Sequence, residues 1–342
     1  MKKVILTLAI VTLFLFGCSR PTLRKTAKNP FTHDVLIKTT PVKNQGRSPL
    51  CWAYAMLATI ESEHLMMGDS VHLSTDYIAR MLLMEQARES YFANENKKIS
   101  LRGTASMTLN LLNRYGILHY DSYHNKEVNY NVVARKVEQA SKTANNLQQL
   151  TERVNDILDQ EVDYMPRIVY FLHAEYTAKE FAHSVCLPNE YLSLTSFTHH
   201  PYNESFVLEI PDNQLKDTFL NIHIDTLMTH IKQALQNGHP VCWEGDVSEP
   251  GFSFTQGIAV LENQRANITP KIRQQQFEAL KTTDDHCMEL IGLAHDKDGN
   301  PYFIAKNSWG NNNPYKGRMY LSEPYVRLQT IAAYMSRDAY AQ

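Results

Sequence analysis

Between Cys51 and Gly68 the side chains Ala55, Met56, Thr59, Ile60 and Leu65 recur at helical spacing, which predicts a helix with one buried stripe ending near Gly68-Asp69. Leu73-Ser74-Thr75-Asp76-Tyr77 opens a second helix running to roughly Arg88, with Ser74 or Thr75 as its cap. A third spans about Thr104 to Tyr115 and stops at Gly116. From Val133 the pattern becomes a heptad-like seam, in which Val137, Ala140, Ala144, Leu147, Thr151, Val154 and Leu158 alternate steps of four and three. It predicts one long helix or a helical hairpin over about 130–165. Small residues in the seam and the interruption at Asn145-Asn146 favour packing on its own domain over a coiled-coil dimer. No period holds from Tyr170 to Leu220, where Pro188, Pro201 and Pro211 read as irregular chain; Ile222 to Gln236 is again an amphipathic helix, closed by Asn237-Gly238, and a β-rich part begins at Pro240.

The clearest strand signal comes late. Residues 284–295, the turn-formers Asp296-Lys297-Asp298-Gly299-Asn300, and residues 301–310 read as strand, turn, strand. In an antiparallel hairpin the paired residue numbers keep a nearly constant sum, so His286 lies roughly opposite Trp309 and Asn307 opposite Met288. Asn307 and Trp309 share parity and point to one side. An amide on the far nitrogen of His286, covered by an indole, is the base-and-orienter pair a thiol nucleophile requires.

The candidate thiol is Cys51. Ser48 reads as an N-cap and Pro49 as the first helical residue, which puts Cys51 in the first turn, where free N–H groups and the helix dipole favour a thiolate. Gln45, six residues earlier, supplies a side-chain amide that, with the Cys51 N–H, can form an oxyanion hole. The pair His199-His200 raises the question of a metal, but no carboxylate or thiol sits at a recognisable ligand spacing, so both are expected to be solvated loop side chains and no metal is expected.

Composition narrows the remaining choices. The 342 residues are 43% hydrophobic and 20% charged with a formal net charge of −2, an ordinary globular balance without the clustered basic charge of a nucleic-acid surface. Lys2 and Lys3 followed by an apolar run to Phe16 read as a signal peptide over 1–17. Leu15-Phe16-Gly17-Cys18 resembles a bacterial lipobox, which makes Cys18 the lipidated first residue of an exported, membrane-anchored lipoprotein. Residues 18–33, basic until Asp34, read as its tether and favour the periplasmic side over the cell surface. The other four cysteines show no disulfide framework, and Cys51 is expected to be a free thiol.

Together, Gln45, Cys51-Trp52-Ala53, His286 and Asn307-Ser308-Trp309-Gly310 resemble the catalytic motifs of papain-type cysteine peptidases. Leu73-Ser74-Thr75-Asp76-Tyr77, Asn113-Arg114-Tyr115-Gly116, Thr282-Thr283-Asp284-Asp285-His286 and the helical excursion are similar to the bleomycin hydrolase and aminopeptidase C branch. The resemblance implies an α+β papain-like fold over 34–342, a helical half carrying Cys51 and a β-rich half carrying His286 and Asn307, with the cleft between them. It implies peptide hydrolysis through a thiolate and an acyl-enzyme, aminopeptidase-like, without cofactor. Gly103 and Trp309 are implied to line the substrate site, Arg102 standing where the family has a second glycine. No blocking C-terminal arm is expected after Tyr340-Ala341-Gln342, which keeps an open-cleft endopeptidase as an alternative, beside a catalytically silent peptide-binding lipoprotein. The expected partners are peptides and, through the lipid, a membrane; a homo-oligomer is left open.

Overall fold

The strand His286–His295 is the member to which both halves of the fold attach. In the computed structural model, which describes residues 29–93, 98–125 and 128–341, one edge of this strand is shared. Residues 286–290 pair antiparallel with Val241–Gly245, and residues 292–295 with Thr32–Leu36. Its other edge pairs with Pro301–Lys306. The changeover needs Gly292, because a Cβ there would lie 2.2 Å from the carbonyl oxygen of Val35. A bulge between Leu290 and Gly292 shifts the hairpin register by one, which a constant-sum count does not foresee.

Eleven strands join this sheet among the described residues, with Thr330–Ser336, Val241–Gly245, His286–His295, Pro301–Lys306 and Arg318–Ser322 at its centre. One face carries the helical half and buries Cys242 and Cys287 in its core; the other face buries Trp243, Met288 and Leu290 against Ile224–Gln236. Alternation along a strand thus sends neighbouring side chains into two different cores.

The helix Cys51–Met66 was expected to show one buried stripe, yet it is buried on nearly every side from Ala55 to His64. It is enclosed by the sheet and the helices, so its polar residues need partners: Glu61 meets Lys43, Glu63 meets His239, and His64 Nε2 meets the Val185 carbonyl. Ser48 does not cap this helix. Its hydroxyl donates to the Gln45 carbonyl at 2.7 Å, and the N-cap position is Leu50. Ser74 does cap Thr75–Phe92, accepting from Tyr77 N–H, and Ala105–Tyr115 ends at Gly116 with φ 89°.

The heptad seam resolves into a hairpin, Tyr130–Thr143 and Leu147–Glu161, broken where Asn146 turns to cap the second helix. The stretch read as irregular holds a small hairpin, Val169–Phe171 with Ala174–Tyr176, the helix Ala178–Val185 and three strands of four or five residues. Such elements are too short for a period to show. The folded unit also starts earlier than residue 34: Phe31 stacks on Tyr320 at 4.0 Å, and Thr32 and His33 belong to the first strand. Cys18, the signal read over 1–17 and most of the 18–33 tether lie outside the described residues. No helix among the described residues is long and apolar enough to cross a membrane.

Candidate active site

His286 begins its strand, and Asn307 directly follows Pro301–Lys306. The hairpin brings them together: His286 Nε2 lies 2.8 Å from Asn307 Oδ1. That same oxygen accepts the Ser308 N–H at 2.7 Å, which identifies it as the amide oxygen. Nε2 must therefore carry the ring proton, which leaves Nδ1 as the nitrogen available to Cys51, whose pKa the ring lowers. The Trp309 ring sits 4.6 Å from the His286 ring, tilted by 37°, and is backed edge-on by Phe252 and Phe254. It screens the bond from water.

Gln45 is clamped at both ends of its amide. Nε2 donates to the Ser48 carbonyl at 2.7 Å and Oε1 accepts from the Ser308 hydroxyl at 2.5 Å. Because a carbonyl only accepts, the amide cannot be flipped, and one N–H remains for a ligand. The loop is anchored to the sheet half by Gln45 N–H to the Ser308 carbonyl at 2.8 Å and by Gly310 N–H to the Lys43 carbonyl at 3.1 Å. Cys51 is the first residue of its helix, so its N–H stands outside the helical ladder and is a second donor at that point.

The Cys51 thiol is held well below its ordinary value. The Cys287 thiol hydrogen-bonds it, His286 adds a hydrogen bond and positive charge, and these outweigh the opposing cost of burial. Burial, and then Cys51 itself, push Cys287 in the other direction, so it remains a protonated donor. All four cysteines of the described residues are free. Trp52 fixes the opposite wall, its indole N–H donating to the Leu101 carbonyl at 2.9 Å. Gly103 follows in that wall, where a Cβ would fall 2.8 Å from Met107 Sδ and 3.2 Å from Trp52.

Gln45, Cys51, Gly103, His286 and Trp309 line one cleft of about 150 Å³, and four acidic residues line it with them: Asp212, Glu244, Asp284 and Asp285. Arg102 is there too, its Nε 2.8 Å from Asp212. Burial pushes Glu244 up to about 8, against a hydrogen bond from Tyr334, and Asp284 up to about 6, with Asp212 adding repulsion. A larger cavity of about 560 Å³ lies behind the Gln45 loop, lined by Tyr54, Asp76, His124 and Tyr130. It contains no thiol, and chemistry is assigned by the reactive groups and not by size.

Sequence reading missed Cys287, Asp212 and Glu244. Cys287 was visible beside His286, and its pairing with Glu244 across the sheet depends on a register that local pattern does not supply. His199-His200 lie in a loop, as expected, and the fold adds a carboxylate partner from outside any recognisable ligand spacing, Glu209, which meets both rings.

The model of the Peptidase C1-like family matches residues 169–338, the part that carries His286 and Asn307. No curated protein matches the sequence. Among solved structures, PepW from Lactobacillus rhamnosis HN001 superposes with a TM-score of 0.67 at 19% identity, over 90% of this chain and 82% of that one. The chain has the papain-like cysteine peptidase fold. The bromelain protease of Ananas comosus, determined with the E64 inhibitor, is a more distant likeness, at 15% identity and a TM-score of 0.42 over 87% and 94% of the two chains. In the papain-like frame the helical half supplies Cys51 and the sheet half supplies His286 and Asn307, the division expected from the motifs.

Proposed function

We propose that the protein is a cysteine peptidase that removes residues from the amino terminus of peptides. The observation that carries the peptidase reading is the tautomer of His286. With Nε2–H committed to Asn307 Oδ1, Nδ1 is free to exchange a proton with Cys51.

The Cys51 thiolate attacks the scissile carbonyl carbon, and the oxygen that becomes negative takes hydrogen bonds from the Cys51 N–H and the remaining Gln45 N–H. The carbon–nitrogen bond breaks as His286 Nδ1–H gives its proton to the leaving amine, which departs and leaves a thioester. Water then loses a proton to Nδ1 and attacks that thioester, releasing the acid and restoring the thiolate–imidazolium pair. Asn307 keeps the ring aimed throughout.

The aminopeptidase reading draws support from charge. Of the four acidic residues in the cleft, Asp212 is paired with the one guanidinium and Glu244 is mostly neutral at pH 7, which leaves Asp284 and Asp285 as the surplus. A free α-ammonium is the group such a surplus would hold. The same proposal includes an exported, lipid-anchored protein with Cys18 as the modified residue; loss of metabolic lipid labelling in Cys18→Ser is the expected outcome.

Fluorogenic peptides test the chemistry. Cys51→Ala should abolish hydrolysis and remove iodoacetamide labelling at that position, and hydrolysis persisting in this variant overturns the reading. Comparing peptides with free and acetylated amino termini separates aminopeptidase from endopeptidase, since efficient cleavage of the blocked substrate decides for the latter.

A further inference from the structure

Away from the cleft, three potential ligands converge on one point of the surface. His199 Nε2 lies 3.1 Å from Glu209 Oε2, and His200 Nε2 lies 2.7 Å from Glu209 Oε1. The ligand atoms of all three residues fall within 4.8 Å of one another. We propose that His199, His200 and Glu209 form a binding site for a divalent transition metal of the zinc type.

The donor set decides the kind of metal. Two imidazoles and one carboxylate suit zinc, whereas calcium and magnesium favour oxygen alone. Zinc holds nitrogen and oxygen ligands at about 2.0–2.2 Å in a tetrahedron, so neighbouring ligand atoms need to be roughly 3.3 Å apart. The present spacing requires only small movements to reach that. A fourth position would remain for water.

The rings are also held in place. His200 stacks on Phe206 with centroids 4.0 Å apart, and His199 lies parallel to Phe277 and against Phe197. The side-chain amide of Gln274 meets His199 at Nδ1 with both ends, Nε2 3.0 Å and Oε1 3.3 Å away. It can accept a proton there and leave Nε2 to the metal, the usual outer-shell arrangement of a ligating histidine. Binding shifts each ring proton from Nε2 to Nδ1, so no oxidant or other co-reactant is needed.

The site would act as a structural clip. Glu209 is three residues before Asp212, whose carboxylate holds Arg102 and whose N–H donates to Asp284 at 3.1 Å. Fixing Glu209 to the His199-His200 loop therefore fixes the segment that brings Asp212 into the cleft, while the thiol chemistry stays with Cys51.

The test uses the full chain, stripped with EDTA and with Cys51 alkylated so that the reactive thiol cannot bind metal. Calorimetric titration with zinc chloride should give one site per chain, and cobalt(II) in its place should give the visible absorption of a tetrahedral nitrogen–oxygen site. His200→Ala and Glu209→Gln, both at the surface, should keep the circular dichroism of the parent and weaken zinc binding by more than about tenfold, the scale on which even outer-shell losses act. The parent should gain thermal stability on adding zinc, and the variants should not. Absence of stoichiometric binding to the parent, or unchanged affinity in both variants, overturns the proposal.

Discussion

Glu61 and Glu244 are both fully buried, in elements that pack against one another, yet their surroundings treat the charge in opposite ways. Glu61 accepts from Lys43 Nζ at 2.6 Å, Thr40 Oγ1 at 2.5 Å and Leu73 N–H at 2.7 Å. Lys306, bonded to Thr40 and paired with Glu289, adds further positive potential. Burial alone would raise its pKa, but these partners reverse that and hold Glu61 below its ordinary value. Glu244 has only the Tyr334 hydroxyl, at 2.6 Å, and burial pushes it up to about 8. The charged network secures the segment that leads into Gln45, where a fixed position matters. At the cleft, Glu244 and Asp284 have no salt-bridge partner among the described residues, and their protonation follows pH.

Removing a counter-ion from the first region should give the largest effect. Lys43→Met strands Glu61 in the core, and breaking a buried pair from one side costs on the order of 3 kcal/mol. Urea denaturation at pH 7 measures it, and a loss below about 1 kcal/mol, the size of an exposed pair, would place the network among the energetically minor ones. Glu244→Gln provides the contrast, because it replaces a side chain that is already mostly neutral at pH 7.

The pH dependence of stability separates the two glutamates further. Glu244 has its folded pKa raised from 4.5 to about 8, so between those values the folded state binds more protons than the unfolded state, and stability falls as pH rises. The parent should lose stability relative to Glu244→Gln as pH rises from 5 to 9, with most of the loss between pH 5 and pH 8. Glu61, lowered in the fold, contributes in the opposite sense: its stabilisation is present at neutral pH and disappears in acid. Denaturation of parent and variant at pH 5, 7 and 9 checks the sign, and parallel curves would show that Glu244 is not the titrating group.

Within the cleft the two thiols repeat the contrast at closer range. Cys51 is stabilised as an anion first by Cys287 and then by His286, whereas Cys287 is kept protonated by burial. Cys287→Ala should raise the midpoint of Cys51 alkylation by iodoacetamide by about one pH unit, the scale of a lost hydrogen bond to a charged group. An unchanged midpoint would assign the effect to His286 alone.

The parts of the molecule that sequence made legible were those controlled by local pattern. The Cys51 helix, the Ser74 cap, the Gly116 stop and the hairpin joining His286 to Asn307 all follow from periodicity, caps and turn residues close together in the chain. The first-turn position of Cys51 was right although its stated cause was not: Ser48 is spent on Gln45, and Leu50 holds the cap position. What stayed hidden depends on distant pairing. Glu244 reaches the cleft because Val241–Gly245 lies beside residues 286–290, and Asp212 because its loop crosses to Arg102. The buried Glu61, Ser62 and Glu63 read as the polar face of a helix until the layers on both sides of it are known. Likewise, Glu209 stands nine and ten residues from His200 and His199, outside any helical ligand spacing, and only the fold returns it to them.

The smallest predicted effect concerns what the unpaired acids do for substrate. Asp284, raised to about 6 by burial and by Asp212, is mostly neutral at pH 5 and mostly charged at pH 7. If it helps to hold a peptide's free ammonium, the preference for a free over an acetylated terminus should grow across that interval and fade near pH 8 as the α-amino group loses its proton. Asp284→Asn should flatten the rise and lower the preference at pH 7 by about two- to fivefold, the equivalent of the 0.5–1 kcal/mol typical of a partly solvated pair. The ratio of kcat/KM for the two substrates, measured against pH in parent and variant, is the relevant quantity, because a general loss of activity cancels from it. A ratio that rises equally in both proteins would transfer the role to Asp212, whose carboxylate lines the same cleft and is raised by burial.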